Sequence, residues 1–127
     1  MSALILDAGA LIAIDRDVRA VAAQLRVASR HGLELRTNAM VVSQVWRDTR
    51  GRQPKLALFL HAVDVRAIDQ GAGRDAGELV GRAGTSDTID ATVILLANRG
   101  DRILTSDPSD LQHLAATAGT KAVIVSC

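Results

Sequence analysis

Very little of this chain is aromatic. Phenylalanine, tryptophan and tyrosine together make up 2% of its 127 residues, with Trp46 and Phe59 alone and no tyrosine, which excludes an extended base-stacking platform. Cysteine is as scarce. Cys127, at the last position, has no second thiol to pair with, so no disulfide framework exists and a reducing, cytoplasmic setting is expected. No apolar run approaches the roughly 20 residues that span a bilayer. The opening MSALILDAG lacks the basic region and cleavage pattern of a secretory leader, so no membrane role is expected. A surplus of one charge is missing too. Fifteen Lys and Arg against fourteen Asp and Glu leave a net charge of +1, which excludes a protein that coats nucleic acid by bulk charge.

What is present suits one globular domain over residues 1 to 127, since 48% hydrophobic and 23% charged residues support a buried core. The balanced charge hides an uneven distribution. Residues 16 to 55 carry nine basic and three acidic side chains, whereas residues 69 to 110 carry four basic and eight acidic.

Residues 3 to 6 (ALIL) read as a buried strand that ends at Asp7 and turns at Gly9 into LIAI. Helices are predicted at 18 to 30, stopped by His31 and Gly32, at 40 to 49, at 54 to 62 with Pro54 in its first turn, at 75 to 82, at 87 to 98 and at 108 to 117. Gly77 and Gly81 would allow the fourth of these to pack closely. Strands are predicted at 33 to 37, 63 to 68, 102 to 105 and 122 to 125. Such alternation implies an α/β fold with a central parallel sheet of about five strands flanked by helices. No repeat or linker divides it.

In an open parallel sheet the functional crevice lies beyond the carboxyl ends of the strands. Asp7 closes the first strand and Asp107 a later one, so adjacent parallel strands would bring them together. Asp90 stands in the first turn of the preceding helix, Asp87 three residues before it, and Asp110 three residues after Asp107. Each is also a reasonable helix cap or first-turn acid. The capping reading is strongest in SDPSDL, with Asp107 at the N-cap, Pro108 at N1 and Asp110 at N3. Gathered carboxylates repel one another and call for a cation. Oxygen ligands without Cys or His suit Mg²⁺ or Mn²⁺ and point to phosphate chemistry.

LILDAGALIA near the start, DATVILLANRGDRILTSDPSDL near the end and the α/β pattern between them resemble a PIN-domain ribonuclease, in particular a VapC-type toxin. The resemblance covers essentially the whole chain and is most specific from Asp90 to Asp107. It implies a metal-dependent endoribonuclease that leaves 5′-phosphate and 3′-hydroxyl ends, is generally homodimeric and is inhibited by a small cognate antitoxin. Asp7, Asp90 and Asp107 match the family's acidic positions and would be the catalytic, metal-holding residues. In NAMVVSQVWR the chain departs from the pattern, with Gln44 where the family usually has Glu. Its carbonyl can still coordinate weakly, while Asp87 or Asp110 could supply the missing charge.

Beyond Gln44, Arg47, Arg50, Arg52 and Lys55, together with Arg16 and Arg19, are candidates for an RNA backbone path, with a solvated face as the plainer alternative. Arg47 is the strongest of them. Core packing is the leading reading of Trp46. His31, His61 and His113 lack metal-ligand spacing. GAGRDAG at 71 to 77 has the wrong spacing and position for a dinucleotide loop. A phosphatase with an aspartyl nucleophile would need a second Asp where Gly9 stands. The strongest competing class is a catalytically degenerate PIN-like module that binds RNA or protein, which Gln44 favours.

Overall fold

The computed structural model describes residues 2 to 127. Its centre is β1 (Ala3–Leu6), whose four side chains are all buried, as a strand covered on both faces requires. β2 (Glu34–Asn38) and β3 (Asp64–Arg66) lie to one side of it, and β4 (Arg102–Thr105) and β5 (Val123–Ser126) to the other. Every pairing in this five-stranded sheet, ordered β3-β2-β1-β4-β5, is parallel. Chain order reverses at β1, which makes the crevice between the ends of β1 and β4 a topological switch point. Leu6 is in register with Leu104, so the residues just beyond both strands emerge side by side.

The helices form two groups. α1 (Ala8–Asp15) packs against α2 (Arg19–Arg30), α3 (Ala39–Val45) and α4 (Pro54–Leu60), while α5 (Gln70–Ala83), α6 (Thr88–Leu96) and α7 (Pro108–Ala118) pack against one another. Ile5, Leu6, Leu11, Val41, Leu56, Leu79, Ile94, Ile103, Leu104 and Leu111 are the fully buried heart of the core. Asp101, 2% exposed, ties the sheet to the turn before β4. Its two carboxylate oxygens accept from Ala3 N and Asn98 N, each at 2.8 Å.

Several expectations change. The turn expected at Gly9 is instead the first turn of α1, which runs on through LIAI; the mostly apolar AGALIAID has no polar stripe to reveal the period. α3 ends at Val45, four residues early, where the Arg47 guanidinium takes the carbonyls of Ser43 and Trp46. α5 begins at Gln70, five residues early, with Asp69 accepting from Ala72 N at 2.8 Å. GAGRDAG is therefore helical and forms no loop. A Cβ added at Gly77 or Gly81 would meet open space, so these glycines mediate no close packing. Trp46 is 39% exposed and outside the core, against the packing expectation.

Candidate functional site

Four elements deliver aspartates to the switch point. Asp7 follows β1 and caps α1, its Oδ1 accepting from Ala10 N at 3.0 Å. Asp87 caps α6 by accepting from Asp90 N at 2.9 Å, which sets Asp90 in the first turn. Asp107 occupies the N-cap position of α7, and Asp110 stands in that helix's first turn. The capping explanation of SDPSDL fails at its central residue, because the Asp107 side chain makes no cap bond. Its Oδ1 accepts from the Ser109 hydroxyl at 3.4 Å, and its side chain meets that of Asp110. The carboxylate with the strongest structural excuse in the sequence is thus free of that duty.

Thr105, fully buried, joins the two strand ends. Its hydroxyl donates to Asp7 Oδ2 and accepts from Asp107 N at 2.9 Å, so one oxygen fixes a carboxylate and the backbone of its neighbour. The Thr105 hydroxyl thus bonds protein on both sides, including the local backbone bonding common for hydroxyls at strand ends.

Electrostatically the five acids form one group. Burial raises the Asp90 carboxyl to about 7, reinforced in order by the charges of Asp87, Asp7, Asp110 and Asp107. Burial also raises Asp7, and Asp107 adds to it, although bonds from Thr105, Ala10 N and Gly9 N pull the other way. Asp110 is raised through its contact with Asp107 and that residue's charge. Cys127 lies near enough that Asp7, after burial, raises its thiol. Beside the group, a cleft of about 380 Å³ is lined by Asp87, Asp90, Asp110 and His113 among others.

Among the described residues, no three His, Cys, Asp or Glu side chains form a ready-made metal cage. The donor chemistry still fits a hard divalent ion, since Mg²⁺ commonly takes one or two carboxylates and keeps several waters. A half-buried carboxyl pushed up by four like charges is also where such an ion gains most.

The basic side chains lie outside the acidic cleft, whereas His113 lines it. Gln44 is exposed on α3 and makes no hydrogen bond to them. α3 is itself anchored to α6, because Asn38, its cap, donates from Nδ2 to Thr92 Oγ1 at 3.0 Å. Arg47 caps the C-terminus of α3, with its guanidinium 2.7 Å from Trp46 O and 3.0 Å from Ser43 O. Gln53 holds the same loop, taking Arg47 N at 2.7 Å and donating to Val45 O and Asp15. Lys55 is paired with Asp17 at 2.7 Å. Arg16, Arg19, Arg50 and Arg52 are exposed, and none of these cations lines the acidic cleft. His31 sits 2.8 Å from Val27 O within its own helix, and His113 2.7 Å from Ala83 O, tying α7 to the end of α5.

Fold and switch-point geometry together define the class, a single PIN-like α/β domain with an all-parallel sheet of five strands flanked by helices. Three solved structures share it across nearly the full chain. VapBC2 from Rickettsia felis, bound to a DNA fragment from its promoter, superposes with a TM-score of 0.72 at 12% identity, covering 98% of each chain. DNA-bound VapBC from Salmonella typhimurium gives 0.66 at 16% identity, covering 99% of this chain and 98% of that one. FitAB bound to an IR36 DNA fragment gives 0.58 at 14% identity, covering 97% and 94%. At these identities the likeness is one of fold. No protein-family model and no curated protein matches the sequence.

Proposed function

We propose that the chain is a metal-dependent endoribonuclease, the toxin of a VapBC-type toxin–antitoxin pair, acting in the cytoplasm as a homodimer restrained by a small antitoxin. The observation that carries this reading is the group of five aspartates around the ends of β1 and β4 and the starts of α6 and α7, where burial and then the charges of the other four push Asp90 up to about 7. The likeness in fold to VapBC and FitAB structures supports the toxin–antitoxin setting.

Asp7, Asp90 and Asp107 would hold Mg²⁺ or Mn²⁺, with Asp87 and Asp110 adding charge at the rim. Such an ion, when bound, supplies an activated water and stabilises charge developing on an RNA phosphodiester, leaving 5′-phosphate and 3′-hydroxyl ends. Thr105 keeps Asp7 aimed and favours its ionised form. Asp90, raised to about 7, would have to release its proton to hold an ion, so higher pH should favour binding. Arg16, Arg50 and Arg52 offer exposed charges for the RNA backbone, while Arg47 contributes what its capping bonds leave over.

The test is cleavage of total RNA with Mn²⁺ by wild type, Asp7→Asn and Asp90→Asn. Cleavage that stops in excess chelator and in both variants is expected. Cleavage persisting in chelator or in Asp7→Asn overturns the scheme. Gln44 favours one other reading, a degenerate module that binds without turnover. An inert wild type that gains nuclease activity in Gln44→Glu would establish it.

A further inference from the structure

Gly9 occupies the second residue of α1, in ordinary helical backbone with negative φ. Helix propensity there argues for alanine, because glycine gives up more chain freedom and offers no side chain to pack. Its conformation does not require glycine; its surroundings do. A Cβ at position 9 would overlap Ser106 Oγ outright, stand 2.7 Å from Ser106 Cβ and lie 3.3 Å from Ser106 N. Ser106 is the middle residue of the β4–α7 turn, between Thr105, whose hydroxyl grips Asp7, and Asp107, whose amide returns to that hydroxyl.

We propose that Gly9 is a positioning residue for the aspartate site: lacking a Cβ, it lets Ser106 lie on the first turn of α1, and this contact fixes the separation of Asp7 and Asp107. The metal-binding consequence rests on the nuclease reading, whereas the spacing itself belongs to the metal-free protein. With alanine at position 9 the Ser106 turn must move outward, carrying Asp107 away from β1 and breaking its amide bond to Thr105. A shift of about 1 Å is enough to cost a site roughly 100-fold in rate.

The atomic contacts make the rescue specific. Removing both Ser106 Cβ and Oγ leaves only the 3.3 Å approach to Ser106 N, which a small adjustment relieves. Removing the hydroxyl alone leaves the 2.7 Å overlap. The experiment therefore compares wild type, Gly9→Ala, Gly9→Ala with Ser106→Gly, and Gly9→Ala with Ser106→Ala. It reads amide hydrogen exchange at Asp107 without metal, and Mn²⁺ affinity by calorimetry. Gly9→Ala should speed Asp107 exchange and weaken Mn²⁺ binding by about tenfold or more. The Ser106→Gly partner should restore both, and the Ser106→Ala partner should not. If Gly9→Ala fails to fold, recovery of folding and Asp107 protection with Ser106→Gly but not Ser106→Ala supports the spacing. Wild-type exchange in Gly9→Ala, or no rescue by Ser106→Gly, overturns it. A wild type that binds no Mn²⁺ removes the metal reading while the exchange series still decides the role of Gly9.

Discussion

The acidic end of β1 and β4 and the basic loop from 46 to 53 differ in how they hold charge. At the acidic end, like charges are brought together from several elements and held by the buried Thr105 hydroxyl at the strand ends, the buried Ala10 amide and the exposed Asp90 amide at helix starts. In the loop, Arg50 and Arg52 point into solvent, and Arg47 is turned back onto the chain. A dispersed set of solvated cations needs no special architecture, because water screens it. Asp7 and Asp90, drawn out of water beside the exposed carboxylates of Asp87, Asp107 and Asp110, do. The acids are therefore a constructed site, and the loop cations are a surface that also serves the fold.

That contrast can be broken in four ways, the largest first. Replacing Asp107 by Asn should lower RNA cleavage by at least roughly 100-fold while leaving thermal stability nearly unchanged, since this carboxylate caps nothing. Parallel cleavage assays and melting curves would check it, and a large loss of stability would return Asp107 to a structural role. Thr105→Val should cost about 2 kcal/mol, read by urea unfolding, because it strips a buried hydroxyl from both Asp7 and Asp107 N. It should also move the acid limb of the pH–rate profile upward, since the Thr105 bond lowers the Asp7 carboxyl.

The third concerns Asp90. Its folded carboxyl is raised from 3.8 to about 7, so between those values the folded state binds more protons than the unfolded one. Stability should fall as pH rises through that window, and stay low above it. Asp90→Asn should remove this slope and raise stability at pH 8 by about 1 kcal/mol after allowance for solvent screening, roughly 4 °C in Tm. Mn²⁺ should reproduce part of the gain in the wild type and none in the variant. The smallest effect belongs to the loop. Arg50→Gln with Arg52→Gln should change stability by less than about 0.5 kcal/mol. It should shallow the salt dependence of RNA binding, measured by fluorescence anisotropy between low and moderate salt.

The sheet was legible because its signals are local. ALIL and RILT are short apolar runs closed by polar residues, and their parallel pairing follows from the helices between them. Boundaries failed where side chains reach across loops, as when Arg47 and Gln53 end α3, or where glycines mask a helix, as at Gly71 and Gly73 in α5. The five aspartates could be read as candidates from their places at strand and helix ends. Their supports could not. Asp101 bonds to Ala3 from 98 positions away, Thr105 reaches Asp7 across the same separation, and Gly9 is explained by a serine it never neighbours in sequence. A cue existed for Asp69, an N-cap aspartate before a polar helix, but the glycines that follow it weighed against a helix.

Since β1 pairs with a strand delivered almost a hundred residues later, the acid site has a birth order. A chain still being made on the ribosome carries Asp7 early and Asp90 late, yet lacks Thr105 to hold the first and Asp107 to stand beside it. The two halves of the crevice can meet only after β4 and the turn into α7 have been made. A growing chain thus has no assembled site until Thr105 and Asp107 have been added, and a message broken before them yields a product that cannot build one.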